Sequence, residues 1–103
     1  MQYKQVFTWD PQKAESNIRK HGIDFETAVG IFTDPNVISM LERIENGEER
    51  WQSVGMTEGL QILLVAHTIM MQDDAGDYVE QIRVISARKA DRTERKAYDN
   101  GYF

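Results

Sequence analysis

The dipeptide Asp34–Pro35 divides this chain into two kinds of pattern. Before it, apolar residues recur at helical spacing; after it they alternate as in strands. A sequence with two successive helices before such a break and a run of strands after it belongs to the α+β class, where helices pack against an antiparallel sheet. The helical part is well punctuated. Asp10 and Pro11 of "WDPQK" supply an N-cap and a first helical residue, and Gly22 supplies a left-handed stop. Ala14, Ile18 and His21 form the stripe expected to face inward. Asp24 opens a second helix whose apolar face is Phe25, Ala28, Val29 and Phe32, and Asp34–Pro35 ends it.

Beyond Asn36, "NVISMLER" and "RWQSVGM" flank Asn46–Gly47, a two-residue hairpin signal. "QILLVAHTIM" is apolar on both faces at its start, as a central strand is. "MQDDAGD" reads as a polar loop, "YVEQIRVISAR" as a last strand, and "YKQVFTW" at the N-terminus as a short first one. Asp91 with Glu94 three residues on forms a capping-box pair that starts a short C-terminal helix. No repeat, low-complexity tract or linker interrupts the chain, so residues 1–103 are expected to form a single domain. The sequence thus predicts a small antiparallel sheet, two N-terminal helices on one face and a short third helix. The face left open would be the one that ligands reach.

Charge is unevenly spread. The chain has 12 Lys and Arg against 17 acids, a net charge of −5. Yet "RVISARKADRTERKAY", residues 83–98, carries six basic residues and two acidic ones. Such an island in an acidic chain points to a local site for a polyanion rather than to indiscriminate nucleic-acid binding. There is no cysteine, which removes thiol and zinc-thiolate chemistry and suits a reducing cytoplasm. "MQYKQVFTWD" lacks the apolar run of a signal peptide, and no apolar run is long enough for a membrane span.

Common catalytic motifs are missing. The two histidines, His21 and His67, stand far apart, with neither HExxH nor an EF-hand pattern, so no metal site and no cofactor are expected. GxSxG and GxGxxG are absent as well. What remains is imidazole and guanidinium chemistry, which suits RNA cleavage by the ribose 2′-OH: histidine moves protons near neutral pH, and arginine binds two phosphate oxygens at once. His67, near the end of the central strand, and Arg88 and Arg83 on the last strand are the catalytic candidates. Arg83 and Arg88 are five positions apart, so on a regular strand they face opposite ways; a bulge or an irregular strand end is needed to bring both to one face. Lys20, His21, Arg50, Trp51, Lys89, Arg92, Arg95 and Tyr98 are candidates for RNA contact. Most have a plainer reading. His67 can serve as a structural hydrogen-bonding group, and Lys20 and His21 complement a helix C-terminus. Trp51 can pack in a hairpin, Tyr98 can pin the last helix, and Arg92 and Arg95 can lie on a solvated face.

The segments "WDPQKAESNIRKHGIDFETAVGIFTDP", "GEER", "LLVAHT", "RVISARKA" and "ERKAY", in this order over nearly the whole chain, resemble the BrnT family of toxins from bacterial type II toxin–antitoxin systems. The resemblance implies a RelE-like α+β fold, RNA cleavage and growth arrest. It also implies a BrnA-like ribbon-helix-helix antitoxin that neutralises the toxin and reads DNA on behalf of the pair. By position, the family pattern falls on Lys20, His21, Gly22, Glu48, Arg50, His67, Thr68 and Arg88. The stretch "IMMQDDAGDYVEQ" is longer and more acidic than the family pattern, and an acidic loop near the substrate path would repel phosphate. The alternative function is a non-catalytic module that binds an antitoxin-like partner through the same basic surface.

Overall fold

The caps named above form as expected in the computed structural model, which describes residues 3–103. The first two residues of "MQYKQVFTWD", the stretch read as lacking a leader, lie outside the described residues. After β1 (Tyr3–Trp9), Asp10 caps α1 (Pro11–His21) by accepting from the Gln12 amide at 2.8 Å, and Gly22 ends it at φ 71°. Asp24 caps α2 (Phe25–Ala28), accepting from Thr27 N at 2.6 Å, and a 3₁₀ segment follows at Val29–Thr33. Four strands come next: β2 (Ile38–Glu45), β3 (Glu48–Met56), β4 (Ile62–Asp74) and β5 (Asp77–Lys89). α3 (Arg92–Asn100) closes the order with the expected capping box between Asp91 and Glu94.

The five strands form one sheet in the order β1-β5-β4-β3-β2. The sheet is mixed rather than antiparallel, because β1 runs parallel to β5. Three hairpin-type reversals from β2 onward bring β5 back in the direction in which the chain first set out. Asn46 and Gly47 make the predicted tight turn, both at positive φ. The expected polar loop 71–77 is not a loop. β4 continues to Asp74 and β5 starts at Asp77, joined through Ala75 and Gly76 at φ 53° and 86°, again a two-residue hairpin turn.

β4 is the centre of the core: Leu63, Leu64 and Val65 are all buried, so adjacent residues bury opposite faces. Leu63 and Val65 join Val84 and Ala87 of β5 and pack against Ile23, Phe25, Ala28 and Ile31. Leu64 and Val54 lie on the other face with Ala90 and Tyr98. β3 approaches the 3₁₀ segment so closely at Gly55 that a Cβ there would sit 2.8 Å from the Ile31 Cβ.

The inward stripe of α1 differs from the expectation. Ile18 is 49% exposed and His21 is exposed, whereas Asn17 is buried. The reason lies in β5. Its pairing with β1 ends at Val84, which leaves the next backbone groups on that edge without a strand partner. Asn17 supplies one: its Oδ1 accepts from Ala87 N at 3.0 Å, and its Nδ2 donates to Ala87 O at 2.8 Å and Ile23 O at 2.9 Å. A buried amide that satisfies three backbone groups turns the helix so that Ile18 faces outward.

Candidate nucleic-acid interface

One irregularity in β5 decides which side chains share a surface. Ala66 of β4 pairs with Ser86, but His67 pairs with Val84, so Ile85 is an extra residue on β5. This bulge re-aims the strand by one position. Arg83 then stands opposite Thr68, and Arg88 opposite Leu64, two β4 residues four apart and therefore on one face. The two arginines consequently face the same way. Arg50 flanks Thr68 from β3, and Arg43 of β2 pairs with Arg50. A row Arg43–Arg50–Thr68–Arg83 thus crosses four adjacent strands, with α3 packed beside it on the same face through Tyr98.

Carboxylates thread this row. Arg83 Nη2 donates to Glu48 Oε1 at 2.9 Å, and Arg43 Nε donates to Glu45 Oε2 at 2.8 Å. Arg50 is held least: its Nη2 is 3.6 Å from Glu45 Oε1, and its buried Nε has no hydrogen-bond partner among the described residues. Arg88 is held most, giving Nη1 and Nη2 to the two Glu94 oxygens at 2.8 Å each. These bonds raise the guanidinium pKa against the opposing effect of burial. Glu94 Oε1 also accepts from Asp91 N at 2.9 Å, so Arg88 clips β5 to the capping box of α3.

His67 is on the other face. It pairs with Trp51 and Val84, is 1% exposed, and has the Phe32 ring edge-on at 5.0 Å. Nε2 is 2.7 Å from Ser53 Oγ, which is 2.7 Å from Ser39 Oγ. Burial lowers its pKa, with the Thr68 carbonyl and the Glu80 charge opposing more weakly, so the ring is held neutral. The sheet therefore separates His67 from the arginines. A depressed histidine contributes stability that is present above its unfolded pKa of about 6.5 and is lost as pH falls through the folded value. Urea midpoints of the wild type are expected to fall between pH 7 and pH 5, and His67→Gln is expected to flatten that dependence. An unchanged slope in the variant would remove His67 as its source.

The remaining candidates scatter. Lys20 and His21 lie in the last turn of α1 with Arg19, complementing the helix dipole, and line a cavity of about 220 Å³ beside Ile85. Trp51 pairs with His67 and so faces away from the arginine row; its buried Nε1 has no partner among the described residues. The Tyr98 hydroxyl donates to Asp34 Oδ2 at 2.6 Å, and that bond, with burial and the Asp34 charge, pushes its pKa up to about 12. Asp34 also accepts from Asn36 N and Met56 N, so Tyr98 pins α3 to the turn before β2. Lys89, Arg92 and Arg95 are exposed and form no ion pair among the described residues. Lys89 and Arg95 flank a cavity of about 280 Å³ at the end of the sheet. Among the described residues, no three His, Cys, Asp or Glu side chains gather in a metal-binding cluster. No helix of the described residues is long and apolar enough to cross a membrane.

Sequence reasoning did not single out Arg43 and gave Glu94 only its capping role. Arg43 is displaced by a second irregularity, between Leu41 and Arg43, that no residue type announces. The β5 bulge shows instead in the burial pattern of the folded strand. Val84 and Ala87 are buried in one cluster although three apart, which a regular strand does not permit.

A family model described as the ribonuclease toxin BrnT of type II toxin–antitoxin systems matches residues 9–94. The chain belongs to the BrnT toxin family. No curated relative matches it. The BrnT match takes in Arg50, Arg83, Arg88 and the Ile85 bulge, and stops at Glu94, so Arg95 and Tyr98 lie beyond it. Membership in a family of type II ribonuclease toxins implies an antitoxin as partner.

Proposed function

We propose that this BrnT-family chain cleaves RNA without a metal ion, by attack of the ribose 2′-OH on the adjacent phosphate, and that it arrests growth in the cytoplasm. The observation that carries this reading is the Ile85 bulge, which aligns Arg83 with Arg50 and sets Arg88 on the same face. Arginines at neighbouring positions across a sheet can bring guanidinium groups to a phosphate and to the more anionic phosphorane that follows it. Arg50 and Arg83 are the phosphate-binding pair. Arg88 supports them by holding α3 in place, Arg92 and Arg95 extend the positive surface along α3, and Lys89, opposite Leu63, turns to the other face. Lys20, His21 and Trp51 serve the fold, and His67 supports the sheet from the core. A BrnA-like ribbon-helix-helix antitoxin neutralises the chain and carries DNA recognition. RelE-like kinship belongs to the same reading.

One observation favours the second reading, a non-catalytic module that binds an antitoxin-like partner. Glu94 and Glu48 already occupy Arg88 and Arg83 and offset their charge. Incubating the purified chain with RNA in EDTA decides the matter. The expected result is cleavage to 2′,3′-cyclic phosphate ends, stopped by the antitoxin. Cleavage only with an added divalent cation would remove the metal-independent mechanism, and none under either condition would leave the binding module.

A further inference from the structure

We infer that Glu48 takes the proton from the attacking ribose hydroxyl, and that Arg83 is the residue that orients it. The inference rests on the RNA-cleavage reading above. Transesterification at phosphate needs a base for the 2′-OH, a cation for the phosphorane and a proton for the departing oxygen. The arginine face supplies cations but no imidazole, since His67 lies in the core under the opposite face and His21 ends α1 beside the Ile85 bulge. A base on this face is therefore a carboxylate.

The carboxylates there are not equivalent. Glu94 commits both oxygens to Arg88 and one of them also to the Asp91 amide. Glu45 gives Oε2 to Arg43 and turns Oε1 toward Arg50. Glu48 is anchored by one oxygen only, Oε1 at 2.9 Å from Arg83 Nη2, and its Oε2 has no partner among the described residues. One oxygen held and the other open is the arrangement of an oriented base. Glu48 also lines, with Thr68 and Met70, a cavity of about 360 Å³ beside the arginine row. Its side chain is 36% exposed, so a captured proton can leave to water.

The step balances without a co-reactant other than water. The 2′-O–H bond breaks, its proton passes to Glu48 Oε2, and the oxygen's electron pair forms the bond to phosphorus. The bond from phosphorus to the 5′-oxygen breaks with its electron pair on that oxygen, which takes a proton from water. Glu48 returns its proton to the hydroxide so formed. The products are a 2′,3′-cyclic phosphate and a 5′-hydroxyl.

The test compares single-turnover cleavage of an oligoribonucleotide with binding of the same oligonucleotide 2′-O-methylated throughout, which lacks the attacking hydroxyl. Glu48→Gln is expected to slow cleavage roughly 10²–10⁴-fold and to abolish the acid limb of the pH–rate profile. Affinity for the methylated strand should stay equal or tighten, because a negative charge beside the phosphate site is gone. Glu48→Asp keeps a carboxylate and should retain the acid limb at a reduced rate; circular dichroism of both variants separates these effects from misfolding. Cleavage by Glu48→Gln within about threefold of wild type, or an acid limb that persists in it, overturns the assignment. If Arg50→Ala and Arg83→Ala weaken binding and cleavage while Glu48→Gln does neither, the assignment falls and the proposed function stands. If the wild type cleaves no RNA, both fall.

Discussion

Changing Arg50 and Arg83 together to alanine is expected to lower RNA cleavage by roughly 10³-fold or more and to abolish growth arrest, while the protein stays folded. Each arginine stands directly opposite Thr68, one on either side, so both flank one strand on the same face. Removal of one preorganised donor to a developing oxyanion typically costs about 10²–10³ in rate, and two donors to one phosphate act as a unit rather than additively. Little stability is at stake. Arg83 and Glu48 form a solvent-exposed pair, and such pairs contribute only about 0–1 kcal/mol. Arg83→Lys should recover part of the loss, since it restores the charge without the planar fork. Arg88→Ala is a poorer probe, because it also breaks the clip to the capping box of α3. Arg19→Ala, which removes only an exposed pair with Glu15 on α1, should leave cleavage unchanged. Equal losses from Arg19→Ala and from the double variant, measured at matched RNA concentration, would show that bulk charge and not the sheet face carries the activity.

The largest expected effect on stability comes from Phe25→Ala. Phe25 opens α2, is fully buried, and sits in the cluster with Leu63, Val65, Val84 and Ala87. Its ring meets Trp9 edge-on at 5.8 Å, which ties the end of β1 to the helical segments. Truncation leaves a cavity bounded by a sheet that cannot collapse into it, at a cost of about 3–5 kcal/mol. For a domain of this size that corresponds to a drop in Tm of roughly 15–30 °C. Calorimetry on the two proteins measures it directly. A loss below about 1 kcal/mol would mean that the helical segments pack on the sheet less tightly than the burial of Phe25 requires.

Much of this architecture is legible locally. Asp10, Asp24 and Asp91 cap helices because a short carboxylate satisfies free amides one turn on, and Asn46–Gly47 turns because both residues tolerate positive φ. The loop predicted at 71–77 failed for the same kind of reason. Polar residues there lie on a long exposed hairpin, where solvent hydrates side chains without disturbing the backbone ladder. Asn17 gave no signal of its role, because two of its three bonds go to the backbone of a residue 70 positions away.

The functional surface divides along the same line. By itself the sequence determined the helix and strand order, the caps, the Asn46–Gly47 turn and the concentration of arginine toward the C-terminal end. These depend on residues a few positions apart. Only the tertiary structure decided that His67 and the arginines occupy opposite faces, and that Arg83 and Arg88 share one. Face and register depend on where the β5 ladder slips. That slip is set by the packing of Val84 and Ala87 into one core and by the grip of Asn17 on Ala87, neither of which is encoded by the residue types at the bulge itself.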